Sequence, residues 1–210
     1  MAMLVRDIMT ATVFTVAPDE TLENVCLLMH QKNIRHLPVI EGDKLIGVIT
    51  DRDVHGATSS LCIAPTPPKG VVRDAMVHPP VTAHPLDPVE DAARTMRSLK
   101  IGCLPVVDDG ALAGIVTGID LLDALLRLTG VDKTSARLEL RLLDRPGELA
   151  RLTAFISERH INIHSILTYP ESATDVRMVL RVDTVETRPL AEALRKAGFD
   201  VVWPAAKPGR

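Results

Sequence analysis

One set of motifs recurs along this chain at a constant offset. Arg6-Asp-Ile-Met9 returns as Arg73-Asp-Ala-Met76, an offset of 76 − 9 = 67 residues. Pro18 returns as Pro85, Leu37-Pro-Val39 as Leu104-Pro-Val106, and Asp53 as Asp120, all at that offset. A register that needs no gap marks an internal duplication, so the chain folds as two copies of one small unit. A unit of this size buries too little surface to be secure alone, and the copies are expected to pack on each other.

Both copies have the same inner grammar. A short strand is predicted over 13–16 and again over 80–83. A helix follows, with Leu22, Val25, Cys26 and Met29 on one face in the first copy, and Val89, Ala92, Ala93 and Met96 in the second. In the second copy Asp87 reads as the N-cap, Pro88 as the first helical residue and Glu90 as the closing member of a capping box. Two strands come next, 36–40 and 44–50, split by Glu41-Gly42-Asp43; the second copy uses Asp108-Asp109-Gly110. A last helix completes the order β-α-β-β-α. The stretch Ala64 to Gly70 is Pro-rich and reads as a semi-extended linker, with Cys62 just before it as filler.

The repeated stretch with most chemistry is LIGVITDRDV, Leu45 to Val54, and its counterpart LAGIVTGIDL, Leu112 to Leu121. In each, an apolar run ends in Thr where a helix should begin, and Asp follows three residues later. Thr50 with Asp53, and Thr117 with Asp120, therefore sit on strand-to-helix turns. The first N–H groups of a helix lack partners and carry the positive end of the dipole, which suits a phosphate. A carboxylate there can accept two hydrogen bonds from the vicinal hydroxyls of a ribose. The pattern points to a paired nucleotide site. Thr-x-x-Asp is also close to a capping box, so the same residues have a purely structural reading.

Composition narrows the partners. The net charge is −3 and aromatics are 2% of the chain, so neither bulk attraction to nucleic acid or anionic membrane nor a base-stacking platform is expected. Hydrophobic residues make up 46%, enough for a real core. Cys26, Cys62 and Cys103 form no Cys-x-x-Cys pair, which suits a reducing compartment and argues against a zinc ribbon. His30, His55, His78, His84, His160 and His164 show no metal-ligand spacing, so no metal site is expected. The N-terminus lacks the apolar core of a signal peptide, and no stretch is long and apolar enough to span a membrane. The expectation is a cytoplasmic protein. No Gly-x-Ser-x-Gly, P-loop or metal-ligand cluster marks an enzyme, and Asp51 and Asp53 point different ways on a first helical turn.

After Gly130 the grammar changes. Residues 136–142 alternate Leu138, Leu140, Leu142 against Arg137, Glu139, Arg141, as a half-buried strand does. Asp144-Arg-Pro-Gly147 is a turn. A helix over 148–160 places Leu149, Leu152 and Ile156 inward, and strands follow over 161–169 and 175–182. A helix over 187–197 and a strand over 200–203 complete β-α-β-β-α-β, the ferredoxin-like order. The tail from Pro204 to Arg210 is expected to be disordered.

The repeats resemble a pair of cystathionine-β-synthase (CBS) domains, the tandem called a Bateman module. RDIMT with VRDAM, TVAPDETL with TAHPLDPV, HLPVI with CLPVV, and GVITDRD with GIVTGID carry the resemblance. It implies an α+β fold in which the two copies form a pseudo-two-fold pair. It also implies adenine-nucleotide sites in the clefts between them, for AMP, ADP, ATP or another adenosyl compound. Thr50 and Asp53, and Thr117 and Asp120, would hold ribose and phosphate. Adenine would lie near Thr15, Arg35 and His36, and near Thr82, Gly102 and Cys103. Copy one adds Arg52 where copy two has Ile119, so it offers cationic groups that copy two lacks, and unequal sites are expected. His36 also reads as a strand histidine, and Arg35 and Arg52 as solvated charges.

The third segment resembles an ACT domain through LLDRPGELARL and HINIHSI. The resemblance implies a small regulatory unit that dimerises or binds an amino acid. Asp144 would take an ammonium, N–H groups at the start of the Gly147 helix a carboxylate, with Glu148, Asn162 and Ile163 nearby. The domains are expected at 3–62, 70–129 and 136–203. The order CBS-CBS-ACT resembles the acetoin-utilisation proteins of the AcuB type. The functional expectation is a non-catalytic, homodimeric sensor of an adenine nucleotide. The alternative is a structural dimeriser or partner-binding protein without ligand.

Overall fold

Two tight turns set the architecture of the repeats. Gly42 (φ +61°) and Gly110 (φ +85°) take left-handed backbone that closes two antiparallel hairpins. The computed structural model describes residues 3–58, 70–131 and 134–206, and the expected linker up to Lys69, Cys62 and the last four residues lie outside that set. The chain divides into two compact units, Met1–Ala124 and Leu125–Arg210.

In the first unit, helix α1 (Leu22–Lys32) precedes the hairpin β1 (His36–Glu41) and β2 (Lys44–Thr50), and α2 (Asp51–Thr58) follows. The second repeat has α3 (Val89–Leu99), β3 (Cys103–Asp108), β4 (Ala111–Thr117) and α4 (Gly118–Thr129), the last running past Ala124. Thr21 caps α1, its side chain accepting from Asn24 N–H at 3.2 Å. The predicted box at α3 is not formed. Pro88 is the N-cap, and Asp87 instead closes its own turn, its Oδ2 accepting from His84 N–H at 2.7 Å. Cys26, predicted inward, is exposed, while Leu22, Val25 and Met29 are buried.

The predicted strands over 13–16 and 80–83 shrink to single parallel bridges, Val16 to Val39 and Ala83 to Val106. The reason lies in the partner strands. Val16 N–H donates to Pro38 O, and Ile40 N–H donates to Val16 O. The next bond of a parallel ladder needs an N–H from residue 38, and proline has none. Pro105 blocks the second copy at the equivalent position.

The N-terminal segments exchange places. Val5 N–H donates to Asp87 O and Arg6 N–H to Pro85 O, while Val72 N–H donates to Glu20 O and Arg73 N–H to Pro18 O. Val5 thus joins the core of Leu104, Val106, Val116 and Met96. Val72 joins that of Leu22, Val25, Leu37 and Ile49. Asp7 and Asp74 shape these entries by accepting from the N–H of Leu4 (2.9 Å) and Val71 (3.4 Å). Val48, Cys103 and Ile115 form a further apolar cluster that joins the two repeats.

The second unit holds β5 (Ala136–Leu143), α5 (Glu148–Ser157), β6 (Ile163–Pro170), β7 (Asp175–Val182), α6 (Arg188–Lys196) and β8 (Asp200–Trp203). The sheet is antiparallel in the order β6-β7-β5-β8, a ferredoxin-like arrangement. Leu138, Leu140 and Leu142 pack with Met178, Leu180 and Val182 under Leu152, Ile156, Leu190 and Leu194. Leu149, predicted inward, is 45% exposed. Glu148, Leu152 and Ile156 align at four-residue spacing and take the buried stripe, which turns Leu149 to the rim.

Candidate nucleotide-binding site

Each Thr–Asp couple lies where a hairpin hands over to a helix. In the first repeat Asp53 Oδ2 accepts from both Thr50 N–H (2.9 Å) and Thr50 Oγ1–H (2.7 Å), and Asp53 N–H donates to Thr50 Oγ1 at 3.3 Å. In the second, Asp120 Oδ2 accepts from Thr117 N–H and Oγ1–H, both at 2.7 Å, with Asp120 N–H to Thr117 Oγ1 at 3.5 Å. The capping-box reading is therefore realised in both copies. It leaves each Oδ1 without a hydrogen bond among the described residues, so the same carboxylate still has an acceptor atom to offer.

Strand pairing brings further candidates to the same end of each hairpin. His36 lies opposite Thr50, and Cys103 opposite Thr117. Asp51 N–H donates to Arg35 O at 3.0 Å, and Gly118 N–H to Gly102 O at 3.1 Å. Arg35, His36, Thr50 and Asp53 are thus held together, as are Gly102, Cys103, Thr117 and Asp120. Arg52 is exposed, its N–H donating to Asp51 Oδ1 at 2.9 Å. Thr15 and Thr82 are exposed, one residue before the bridges at Val16 and Ala83. They flank β1 and β3, and no hydrogen bond among the described residues ties them to Asp53 or Asp120.

The two ends also meet each other. A Cβ built at Gly102 would stand 2.7 Å from His36 Nε2, so the imidazole covers the Gly102 backbone. Burial pushes His36 below its ordinary pKa; the Asp51 and Asp53 carboxylates oppose that, and the Arg35 charge adds to it. Burial, with the Asp53 charge adding to it, pushes the Cys103 thiol up to about 12. Asp53 of the first repeat thus acts on Cys103 of the second, a proximity that sequence spacing alone does not reveal.

In the second unit the amino-acid candidates take different positions. Gly147 (φ +96°) is the N-cap of α5, Asp144 and Asn162 are exposed, and Ile163 opens β6. Glu148 is clamped. Arg145 donates from Nε and Nη2 to Oε1, and Arg151 from Nε and Nη2 to Oε2. Hydrogen bonds from Arg151 and Arg145 hold its carboxyl below the usual range. A small cavity of about 230 Å³ lies beside it, lined by Arg141, Arg145, Arg151 and Phe199 among others. The sequence reading missed these arginines, although Arg151 stands three residues after Glu148 on α5, a spacing that signals pairing on a helix. Among the described residues no group of three His, Cys, Asp or Glu side chains could hold a metal ion. No helix among them is long and apolar enough to cross a membrane.

Comparison with known proteins agrees with this architecture. The CBS domain profile matches residues 5–59 and 72–127, and the ACT domain profile residues 136–199. A CBS domain-containing protein of Dictyostelium discoideum is 36% identical over 137 residues, 61% of this chain and 94% of that one. An inosine-5'-monophosphate dehydrogenase of Korarchaeum cryptofilum is 37% identical over 110 residues, 52% of this chain but 21% of the enzyme.

Among solved structures, the CBS domain pair of MJ0100 in complex with 5-methylthioadenosine and S-adenosyl-L-methionine superposes with a TM-score of 0.55 at 29% identity. It covers 63% of this chain and 100% of its own. CBSX2 in complex with AMP gives 0.52 at 35% identity, covering 59% and 96%. A putative acetoin utilization protein, AcuB, from Vibrio cholerae gives 0.53 at 30% identity, covering 63% and 99%. With two hairpin-and-helix repeats packed on one another and a ferredoxin-like unit after them, the chain belongs to the CBS-domain family and carries a C-terminal ACT domain.

Proposed function

We propose that this chain is a non-catalytic, cytoplasmic sensor that binds an adenine nucleotide or another adenosyl compound in the clefts of its CBS pair. The observation that carries the reading is the duplicated Thr–Asp couple, each with one carboxylate oxygen turned to its own cap and the other without a hydrogen bond among the described residues. In this reading Asp53 and Asp120 grip ribose hydroxyls, while Thr50, Thr117 and the helix N-termini face phosphate. Arg35, His36 and Arg52 give the first cleft its cationic and donor groups. Gly102 and Cys103 leave the second more neutral, and Thr15 and Thr82 border adenine. Relatives crystallised with AMP, 5-methylthioadenosine and S-adenosyl-L-methionine support an adenosyl ligand class. The proposed domain limits are 3–62, 70–129 and 136–203.

The ACT domain serves dimerisation or amino-acid sensing. For an effector, Asp144, the N–H groups after Gly147, Asn162 and Ile163 are the candidate contacts. Glu148 is already neutralised by two arginines, which favours it as the support of those arginines rather than as the ammonium ligand. The second reading is a ligand-free structural dimeriser.

A thermal-shift screen with AMP, ADP, ATP, 5-methylthioadenosine and S-adenosylmethionine tests the proposal, with Asp53→Ala and Asp120→Ala beside the wild type. A ligand at about 100 times its Kd stabilises by roughly 2.7 kcal/mol. Stabilisation that one variant loses names the ligand and the working cleft. Flat curves throughout would favour the dimeriser, and nucleotide turnover abolished in Asp53→Ala would favour an enzyme.

A further inference from the structure

The two Thr–Asp couples share one geometry, but the positions around them differ in charge. At the offset of 67 residues, Arg35 becomes Gly102, His36 becomes Cys103, Asp51 becomes Gly118 and Arg52 becomes Ile119. In the first repeat two guanidiniums stand against the carboxylates of Asp51 and Asp53. In the second, Asp120 is the one carboxylate at these positions and none of them carries a cation. The Cys103 thiol, raised to about 12, is neutral. Arg35 also borders the open groove that runs between α1 and α2 past Cys26, so Arg52 is the cation that most sets the two helix starts apart. A Cβ built at Gly118 would meet no atom within 4 Å, so the start of α4 is open where α2 carries the Asp51 carboxylate. The next side chain, Ile119, is 56% exposed. One helix start is charged; the other is open and apolar beside an equivalent Asp.

We propose that the two clefts divide adenosyl ligands by the group at the 5′ carbon: the first takes a phosphorylated nucleotide, the second a phosphate-free adenosyl thioether or sulfonium, with Arg52 and Ile119 as the discriminating residues. The inference rests on the nucleotide reading above and gives each cleft its own ligand class. A nucleotide phosphate carries about two negative charges and three strong acceptor oxygens, which a guanidinium meets with charge-assisted hydrogen bonds. Arg52 supplies that group at the start of α2. At the start of α4 the same phosphate would lie against the Ile119 side chain and beside the unopposed Asp120 carboxylate, losing water with no cation in return. A thioether loses little there and gains apolar contact with Ile119. A sulfonium is attracted by Asp120, and the open space at Gly118 leaves room for the chain it carries. Asp53 and Asp120 are alike, so the ribose does not discriminate. The two ligands are therefore bound together and do not compete.

Calorimetric titration of the full chain with AMP, 5-methylthioadenosine and S-adenosylmethionine, each alone and with another already at saturation, tests it. In the wild type AMP and 5-methylthioadenosine bind side by side, and saturating one leaves the other's heat of binding in place. Asp53→Ala abolishes AMP binding, and Asp120→Ala abolishes binding of the other two. Arg52→Ile weakens AMP at least tenfold more than it weakens 5-methylthioadenosine. Ile119→Arg, the reciprocal exchange, weakens S-adenosylmethionine at least tenfold and admits a second AMP. Competition between AMP and 5-methylthioadenosine overturns the proposal while the nucleotide reading stands. So does loss of both in the same Asp variant, or an Arg52→Ile change that weakens the two equally. Absence of binding by all three compounds overturns the nucleotide reading itself, and the division of ligands with it.

Discussion

His36 Nε2 lies 2.7 Å from where a Cβ on Gly102 would stand. The contact joins the first repeat to the second at the proposed nucleotide clefts, and it requires glycine at position 102. Gly102→Ala forces the imidazole aside. Overpacking of this kind costs about 1–3 kcal/mol, read as a lower urea midpoint. The double variant Gly102→Ala/His36→Ala costs less than the sum of the singles by at least about 0.5 kcal/mol, because the two share one contact.

Gly47 and Gly114 are more demanding. A Cβ at Gly47 would meet Met76 Sδ at 2.7 Å and Val77 O at 3.0 Å; at Gly114 it would meet Met9 Sδ at 2.8 Å and Thr10 O at 2.9 Å. A thioether can swing away, but the backbone carbonyl is fixed by the bridges Val48 to Val77 and Thr10 to Ile115. Alanine at either position is expected to cost about 3 kcal/mol or more in the unfolding free energy. Met76→Ala does not restore Gly47→Ala, since the carbonyl remains.

Stability has an acid-sensitive part on the ACT sheet. Hydrogen bonds from Arg141 and Arg177 hold Glu171 at a pKa of about 2, against an ordinary 4.5. The folded value is depressed, so its contribution is fully present above 4.5 and is lost as pH falls toward 2. The Tm difference between wild type and Glu171→Gln is constant above pH 4.5 and closes below it. A difference unchanged down to pH 2 rejects this assignment.

The two described cysteines differ in reactivity. Cys103 is buried with its thiol raised to about 12, and Cys26 is exposed. Iodoacetamide at pH 8 is expected to label Cys26 at least tenfold faster, since the thiolate is the nucleophile and must be reachable. Mass spectrometry of the peptides reads the ratio. Equal rates would mean that the Cys103 end of β3 opens readily.

Much of the architecture was legible because local chemistry and the repeat agree. The hairpins followed from Gly42 and Gly110, and the helix starts from Thr50 and Thr117. The misreadings share one cause. Asp87 was read as a cap, Cys26 and Leu149 as core, and 13–16 as a strand, each from its own neighbours. Each was decided by a contact that the local pattern does not show: His84 N–H donating to the Asp87 carboxylate, the open groove beside Cys26, Glu148 taking the buried stripe beside Leu149, and Pro38 withholding an N–H. At the clefts, the Thr–Asp register was plain from the chain, whereas the clamp on Glu148 needed its arginines to be seen bonded.

What the sequence by itself determined is the repeating unit, because a period and its turns are properties of adjacent residues. It set two β-α-β-β-α copies at one offset, a ferredoxin-like third segment, and Thr and Asp at equivalent helix starts. Only the tertiary structure decided how the copies combine. It sent Val5 into the second core and Val72 into the first, laid His36 over Gly102 and set Asp53 to act on Cys103. These contacts join residues far apart in the chain, from Ile49 with Val72 to Val5 with Val116. They are selected by how volumes fill a shared interior, which no local pattern encodes.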